Sequence, residues 1–304
     1  MKSFRIIPCA LGILLTALPG QLARAWEGDR AGEAFYSYFP ASGLKDEEGK
    51  VQMQSVRANA GVPLPLGESF FLSLRAAYQG LFASYEDLVF TYTNDTGQTF
   101  TEDDLPTKLH AVDVALGFGA VLGDGLTLYA EFQPGVHSDF KDVSEKDIYY
   151  QGGVMLSYDF SEEFSGLLGV YYGDDFGHPM VFPLLGVEWQ IDDDLALDVF
   201  LPEYALVSYL AASWLTIGLH ARLEGHQFRL SADAPWENTV ACYDQVLAGP
   251  CLDVHFSKYV TLRLEGGIAT MRTFEFKDDD SGAKVYDGDM KDGAYASGSF
   301  AFYF

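Results

Sequence analysis

Arg222 and Glu224 stand two residues apart, and so do Arg263 and Glu265. In a β-strand that spacing puts both members of each pair on one face. The opposite faces are apolar. Leu215, Ile217, Leu219 and Leu223 oppose His220, Arg222 and Glu224, while Val260, Leu262, Leu264 and Ile268 oppose Arg263 and Glu265. The same alternation puts Arg57, Arg75, Asp113, Glu131, Asp159, Glu188 and Asp198 on polar faces. Opposite charges on neighbouring strands can pair directly. If such strands close into a ring, two readings stay open. One is a polar, cation-tolerant passage crossed by a transverse field. The other is an ion-pair network that fills and ties together a narrow lumen.

Catalytic chemistry has less support. His137, His220, His226 and His255 are candidate bases, and Ser208 or Ser231 candidate nucleophiles, for a lipid-modifying enzyme. There is no Gly-x-Ser-x-Gly elbow and no His-Glu-x-x-His pair. No nucleophile–base arrangement is readable, so no catalytic residue, cofactor or resident metal is expected. Acidic residues crowd two segments: Glu86, Asp87, Asp95, Glu102, Asp103 and Asp104 in 85–107, and Asp278, Asp279, Asp280, Asp287, Asp289 and Asp292 in 276–294. Such clusters can take divalent cations, but the run from Asp287 to Gly293 departs from an EF-hand loop, with Lys291 intruding. Solvated acidic loops that draw cations are the expectation. Cys242 and Cys251 fall in one expected loop, where an oxidising setting predicts a disulfide between them.

The elements that position these residues are strands. The chain is 48% hydrophobic and 15% aromatic, which argues against disorder, and its net charge of −25 argues against nucleic acid as a partner. No segment after the first 25 residues approaches the ~20 apolar residues of a membrane helix. Alternating runs separated by turns predict strands near 34–39, 51–63, 69–84, 108–121, 126–138, 148–160, 163–172, 181–191, 195–201, 204–211, 214–230, 251–257, 259–275 and 295–304. Short and long connections alternate, as they do in transmembrane barrels. The expected fold is an all-β antiparallel transmembrane β-barrel of 12–14 strands, fourteen preferred. The tight link Leu201-Pro202-Glu203 is the point at which that count could fail. Tyr158, Phe160, Phe164, Trp189 and Trp214 flank short turns, where an interfacial aromatic girdle belongs.

The two ends agree with this. Lys2 and Arg5, an apolar stretch to Leu18 and Ala23-Arg24-Ala25 read as a secretory signal peptide spanning 1–25, leaving the barrel as 26–304. Its removal deletes three basic residues and makes the net charge more negative by three. At the other end Gly298, Phe300, Phe302 and Phe304 alternate with Ser297, Ser299, Ala301 and Tyr303. This segment resembles the C-terminal recognition strand of Gram-negative outer-membrane proteins. That resemblance implies an outer-membrane location, contact with outer-membrane lipid and assembly by the barrel-assembly machinery, with Phe300, Phe302 and Phe304 as the signal. Pro183-Leu-Leu-Gly186-Val-Glu-Trp189, followed by an acidic turn and Leu195-Ala-Leu-Asp198-Val-Phe-Leu-Pro202, resembles a group of bacterial outer-membrane barrels of unassigned function. No catalytic residues come with it. The leading functional expectation is passive passage of small solutes. The alternative is a structural or surface-binding barrel closed by ion pairs.

Overall fold

The computed structural model describes residues 30–45, 48–67, 69–88, 90–93, 99–102, 105–173, 180–231, 238–279, 282 and 284–304. The expected signal peptide lies outside the described residues. The strands are β1 (Arg30–Gly43), β2 (Lys50–Pro65), β3 (Phe70–Glu86), β4 (Phe90–Thr93), β5 (Thr99–Glu102), β6 (Lys108–Gly123), β7 (Leu126–Ser138), β8 (Ile148–Asp159), β9 (Phe164–Gly173), β10 (Met180–Gln190), β11 (Leu195–Leu201), β12 (Tyr204–Ala212), β13 (Leu215–Arg229), β14 (Thr239–Ser257), β15 (Val260–Asp278), β16 (Lys284–Asp289) and β17 (Gly293–Tyr303).

Each wall strand pairs antiparallel with its neighbours, β17 closes onto β1, and β14 pairs with β15 to complete the ring. The sheet has fifteen strands, but β16 and β17 lie in line along β15, so fourteen go round the wall. β4 and β5 pair only with each other, as a hairpin within the β3–β6 connection. β11 and β12 are separate strands, paired from Leu195↔Tyr209 to Phe200↔Tyr204, so the tight link at Pro202 joins two wall members. Two expected loops are largely strand. Residues 239–250 belong to β14, and 284–289 form β16. The alternation fails at the start of β14 because Thr239 to Tyr243 are buried on both faces.

The outside of the wall is apolar. On β3, Phe70, Leu72, Leu74 and Tyr78 are exposed, and on β6 Val112, Val114, Leu116 and Phe118. Phe70 to Tyr78 covers about 27 Å of strand, or about 21 Å along the axis at a tilt of ~40°. That approaches the apolar band of a membrane barrel. The aromatics beside the short turns form a continuous patch, with ring separations of 4.9 Å for Tyr158–Phe160, 5.3 Å for Phe160–Phe164 and 6.2 Å for Phe164–Trp189. Phe300, Phe302 and Phe304 are all exposed, whereas Ser297 and Ser299 are buried inside.

The barrel is not round along its whole length. β12 ends where Tyr204 pairs with Arg222, and β13 runs on past that point with β14 still paired beside it, as far as Arg229↔Val240. It bends across the lumen to meet β7, six strands away. Arg229 pairs with Ser138 in parallel, and the Asp139 N–H donates to the Arg229 carbonyl at 3.2 Å. Gln227, on the outer face of β13, donates to the hydroxyl of Tyr149 at 3.2 Å, and Tyr149 lies on the inner wall of β8. The loop end is therefore a neck ringed by β7, β6, β3, β2, β1, β16, β15, β14 and β13. Leu44↔Met290 ties β1 to the end of β16. Fourteen strands in a circle give a backbone diameter of about 28 Å, and nine give about 18 Å. A ring near eight strands is filled by its own side chains. Phe39, Val51, Met53, Leu247, Phe274 and Phe276 fill this neck, joined by Leu88 and Leu105 from the β3–β6 connection.

Candidate functional site

The floor of the neck is an ion-pair layer built where β13 leaves the wall. Arg57 on β2 donates through Nη2 to Glu224 Oε1 on β13 at 2.7 Å. In a round barrel these strands would stand about 25 Å apart, beyond the reach of an Arg–Glu pair. The bend in β13 is what brings the two together. Arg222 Nε donates to the same Glu224 oxygen at 3.2 Å, and its Nη1 donates to Glu265 on β15. Gln245 Nε2 donates to Glu224 Oε2 at 2.8 Å, and Ser297 Oγ to Glu265 Oε2 at 3.1 Å. Arg263 grips Asp253 with Nε at 2.5 Å and Nη2 at 2.6 Å. The Phe35 ring lies 4.5 Å from the Arg57 guanidinium carbon and 5.3 Å from that of Arg222.

Three arginines here meet three carboxylates, so this layer is formally neutral. Arg57, Arg222 and Arg263 are each at most 4% exposed. Charges this deep are tolerable only when paired and hydrogen-bonded, and pairing across strands supplies both.

A second polar station lines β3, β6, β7 and β8. Arg75 Nη2 donates to Glu131 Oε1 at 2.7 Å, and the Tyr129 hydroxyl donates to Glu131 Oε2 at 2.9 Å. Asp113 Oδ1 lies 2.8 Å from His137 Nε2, and Gln133 Nε2 donates to Gln151 at 3.2 Å. Glycines make room for these cross-lumen side chains. A Cβ on Gly117 would stand 2.1 Å from the Tyr129 hydroxyl, and one on Gly135 would stand 2.0 Å from Asp113 Oδ1. The β7–β12 side also carries an apolar cluster, with Met155, Leu167, Tyr171, Leu184, Phe200 and Leu206 packed together. Asp198 accepts there from the Tyr204 hydroxyl, its two oxygens at 3.0 and 2.9 Å. Nearer the short turns Glu188 accepts from Ser165 at 3.2 Å and is only half-buried. Asp159 is exposed at that rim.

The structure thus splits the sequence-derived set into two stations and three outliers. Arg57, Arg222, Glu224, Arg263 and Glu265 form the floor. Arg75, Glu131 and Asp113 belong to the second station. Asp159, Glu188 and Asp198 stand apart from both. Sequence reasoning missed Asp253 and Gln245, although Asp253 keeps the parity of Cys251 in β14. It also missed Arg272, because Met271 has φ +51 and interrupts the alternation of β15.

The disulfide expectation is overturned. Cys242 and Cys251 are both free and buried. They lie nine residues apart along one strand, about 30 Å of extended chain, so their sulfurs cannot meet. The histidines are not paired with the candidate serines in the described hydrogen bonds. His137 meets Asp113, His220 meets Tyr295, and His255 meets Thr216 and Thr261. Acids of the 276–294 segment engage the protein itself. Asp289 pairs with Lys45 at 3.1 Å, Asp279 pairs with Arg229, and Asp292 accepts from Thr270 at 2.8 Å. Among the described residues no group of three or more His, Cys, Asp or Glu is placed to hold a metal ion.

A family model described as a domain of unknown function, DUF6268, matches residues 30–300. No curated protein matches the sequence. Among solved structures the chain is similar to the COG4313 outer membrane channel from Pseudomonas putida F1, at 12% identity over 98% of this chain and 99% of that one, with a TM-score of 0.43. It is similar to the translocator domain of the autotransporter NalP from Neisseria meningitidis, at 11% identity over 93% and 94%, TM-score 0.40. It is also similar to the Pseudomonas putida toluene transporter TodX, at 10% identity over 96% of each chain, TM-score 0.38. These likenesses are distant, and the barrel assignment rests on the strand pairing described above.

Proposed function

We propose that this chain, which belongs to the DUF6268 family, is an outer-membrane barrel that passes small polar solutes through a side-chain gate at the floor of its neck. The observation that carries the reading is the Arg57–Glu224 contact across the lumen, set in a neutral layer of hydrogen-bonded charges. Within the ring that β13 closes, side chains form the floor, and side chains rearrange far faster than a wall or a plug domain. Below the floor the inner surface is polar and half-buried at Asn59, Ser73, Ser157, Ser165 and Gln190, which suits a hydrated vestibule. Outer-membrane lipid would cover the apolar belt, and the terminal Phe300, Phe302 and Phe304 would serve assembly.

Planar-bilayer conductance of refolded residues 26–304 tests this. Stable, repeatable steps are expected. Arg222→Gln and Arg75→Gln should each move the reversal potential in a KCl gradient towards cations, since each removes a positive charge from the path. Unchanged reversal potentials in both variants would overturn the gate. A second reading has its own observation. Phe39, Val51, Leu247 and Phe276 are fully buried across the neck, as in a sealed core. A folded, heat-modifiable barrel that conducts nothing would favour a structural or surface-binding role.

A further inference from the structure

Five interior arginines meet a carboxylate: Arg57, Arg75, Arg222, Arg229 and Arg263. Arg272 on β15 does not. It is 1% exposed, and among the described residues none of its three guanidinium nitrogens meets a carboxylate or a backbone carbonyl at hydrogen-bond distance; the polar group it interacts with is the Tyr243 hydroxyl. A guanidinium stays charged at any physiological pH. Left unpaired in an apolar layer, it carries the full desolvation cost of its charge. The Phe39 ring, 5.8 Å from its central carbon, offers a cation–π contact but no acceptor for its N–H groups.

Two further features converge on this side chain. Tyr243 on β14 is 2% exposed and its hydroxyl finds no acceptor. It pairs with Phe274, two residues along from Arg272 on the same face, and its hydroxyl is electrostatically coupled to the guanidinium. Met271, just before Arg272, sits at φ +51 and is exposed. Without that interruption the alternation that turns Arg263 and Glu265 inward would turn Arg272 outward. The strand thus spends an unfavourable backbone conformation to bring an unpaired charge inside.

We propose that Arg272 and the Tyr243 hydroxyl form a binding site in the neck for a small soluble oxyanion, a carboxylate or a phosphate. The guanidinium fork matches the two oxygens of either group, and the phenol supplies a third donor. Gly293 leaves the guanidinium its space, since a Cβ there would stand 3.2 Å from Nη1. Entry of the ion requires the packed side chains of the neck to part. The site lies inside the neck, so lipid headgroups on the outside of the wall do not reach it. Binding here does not depend on whether the barrel conducts.

The test uses the refolded mature barrel in phosphatidylcholine vesicles, with the urea midpoint followed as chloride is replaced by inorganic phosphate or acetate at constant ionic strength. The midpoint is expected to rise and saturate. Arg272→Met should weaken the apparent affinity at least tenfold, and Tyr243→Phe, which keeps the ring, several-fold. If Arg272→Met does not fold, Tyr243→Phe carries the comparison. The proposal is overturned by a wild-type midpoint indifferent to both anions, or by variants that respond as wild type does. A response seen only with vesicles containing an anionic lipid, and not with free phosphate, also overturns it.

Discussion

Replacing Glu224 by Gln should cost this barrel a large part of its stability. Among the described residues Glu224 is the one carboxylate that Arg57 contacts at ion-pair distance, and it also receives Arg222 and Gln245. Arg222 keeps Glu265 after the change, but Arg57, 4% exposed, keeps no carboxylate at ion-pair distance. Removing one partner of a buried pair typically costs about 3–5 kcal/mol, because the other charge stays buried. At a urea dependence of about 1–3 kcal/mol per molar, the midpoint falls by about 1–3 M or more. The assay is reversible urea unfolding in lipid vesicles, read by tryptophan fluorescence. Adding Arg57→Met should recover at least half of the loss, giving a coupling of about 2 kcal/mol in the double-mutant cycle. A Glu224→Gln midpoint within 0.3 M of wild type, taken as roughly the scatter of such extrapolations, would refute the cross-lumen pair. Strict additivity in the cycle would refute it as well.

Other consequences follow from the same geometry. Leu116→Arg places a charge on the lipid face, where Leu116 is 56% exposed, and should cost about 2–4 kcal/mol in vesicle unfolding. Gly135→Ala drives a Cβ to within 2.0 Å of Asp113 Oδ1 and should break the Asp113–His137 contact, costing about 1–3 kcal/mol by the same titration. Tyr204→Phe removes the hydroxyl that donates to Asp198 and should cost about 1–3 kcal/mol, with Ala205→Ser on the outer face as a control. Intact-mass measurement of residues 26–304 alkylated after denaturation without reductant should show two alkyl groups added, one each on Cys242 and Cys251. A product with no adducts would mean that the two sulfurs are bridged.

Alternation made the wall legible without any structure. It located fourteen strands, separated lipid-facing from inward positions and put Arg222 with Glu224 and Arg263 with Glu265 on shared inner faces. It did so because side-chain direction in a strand has a period of two, set by local backbone geometry. It failed where that period stops carrying information. The start of β14 is buried on both faces, so it read as a loop and made a disulfide look reasonable. The irregularity at Met271 hid Arg272. What only the tertiary structure decided is the neck. The partners Arg57 and Glu224, 167 residues apart in sequence, meet because β13 outruns β12 and crosses to β7. No local pattern records how far a strand continues past its neighbour, or which opposite wall it then finds. That is settled by the short β11–β12 link, by the bend that follows, and by packing a nine-strand ring until its interior is full.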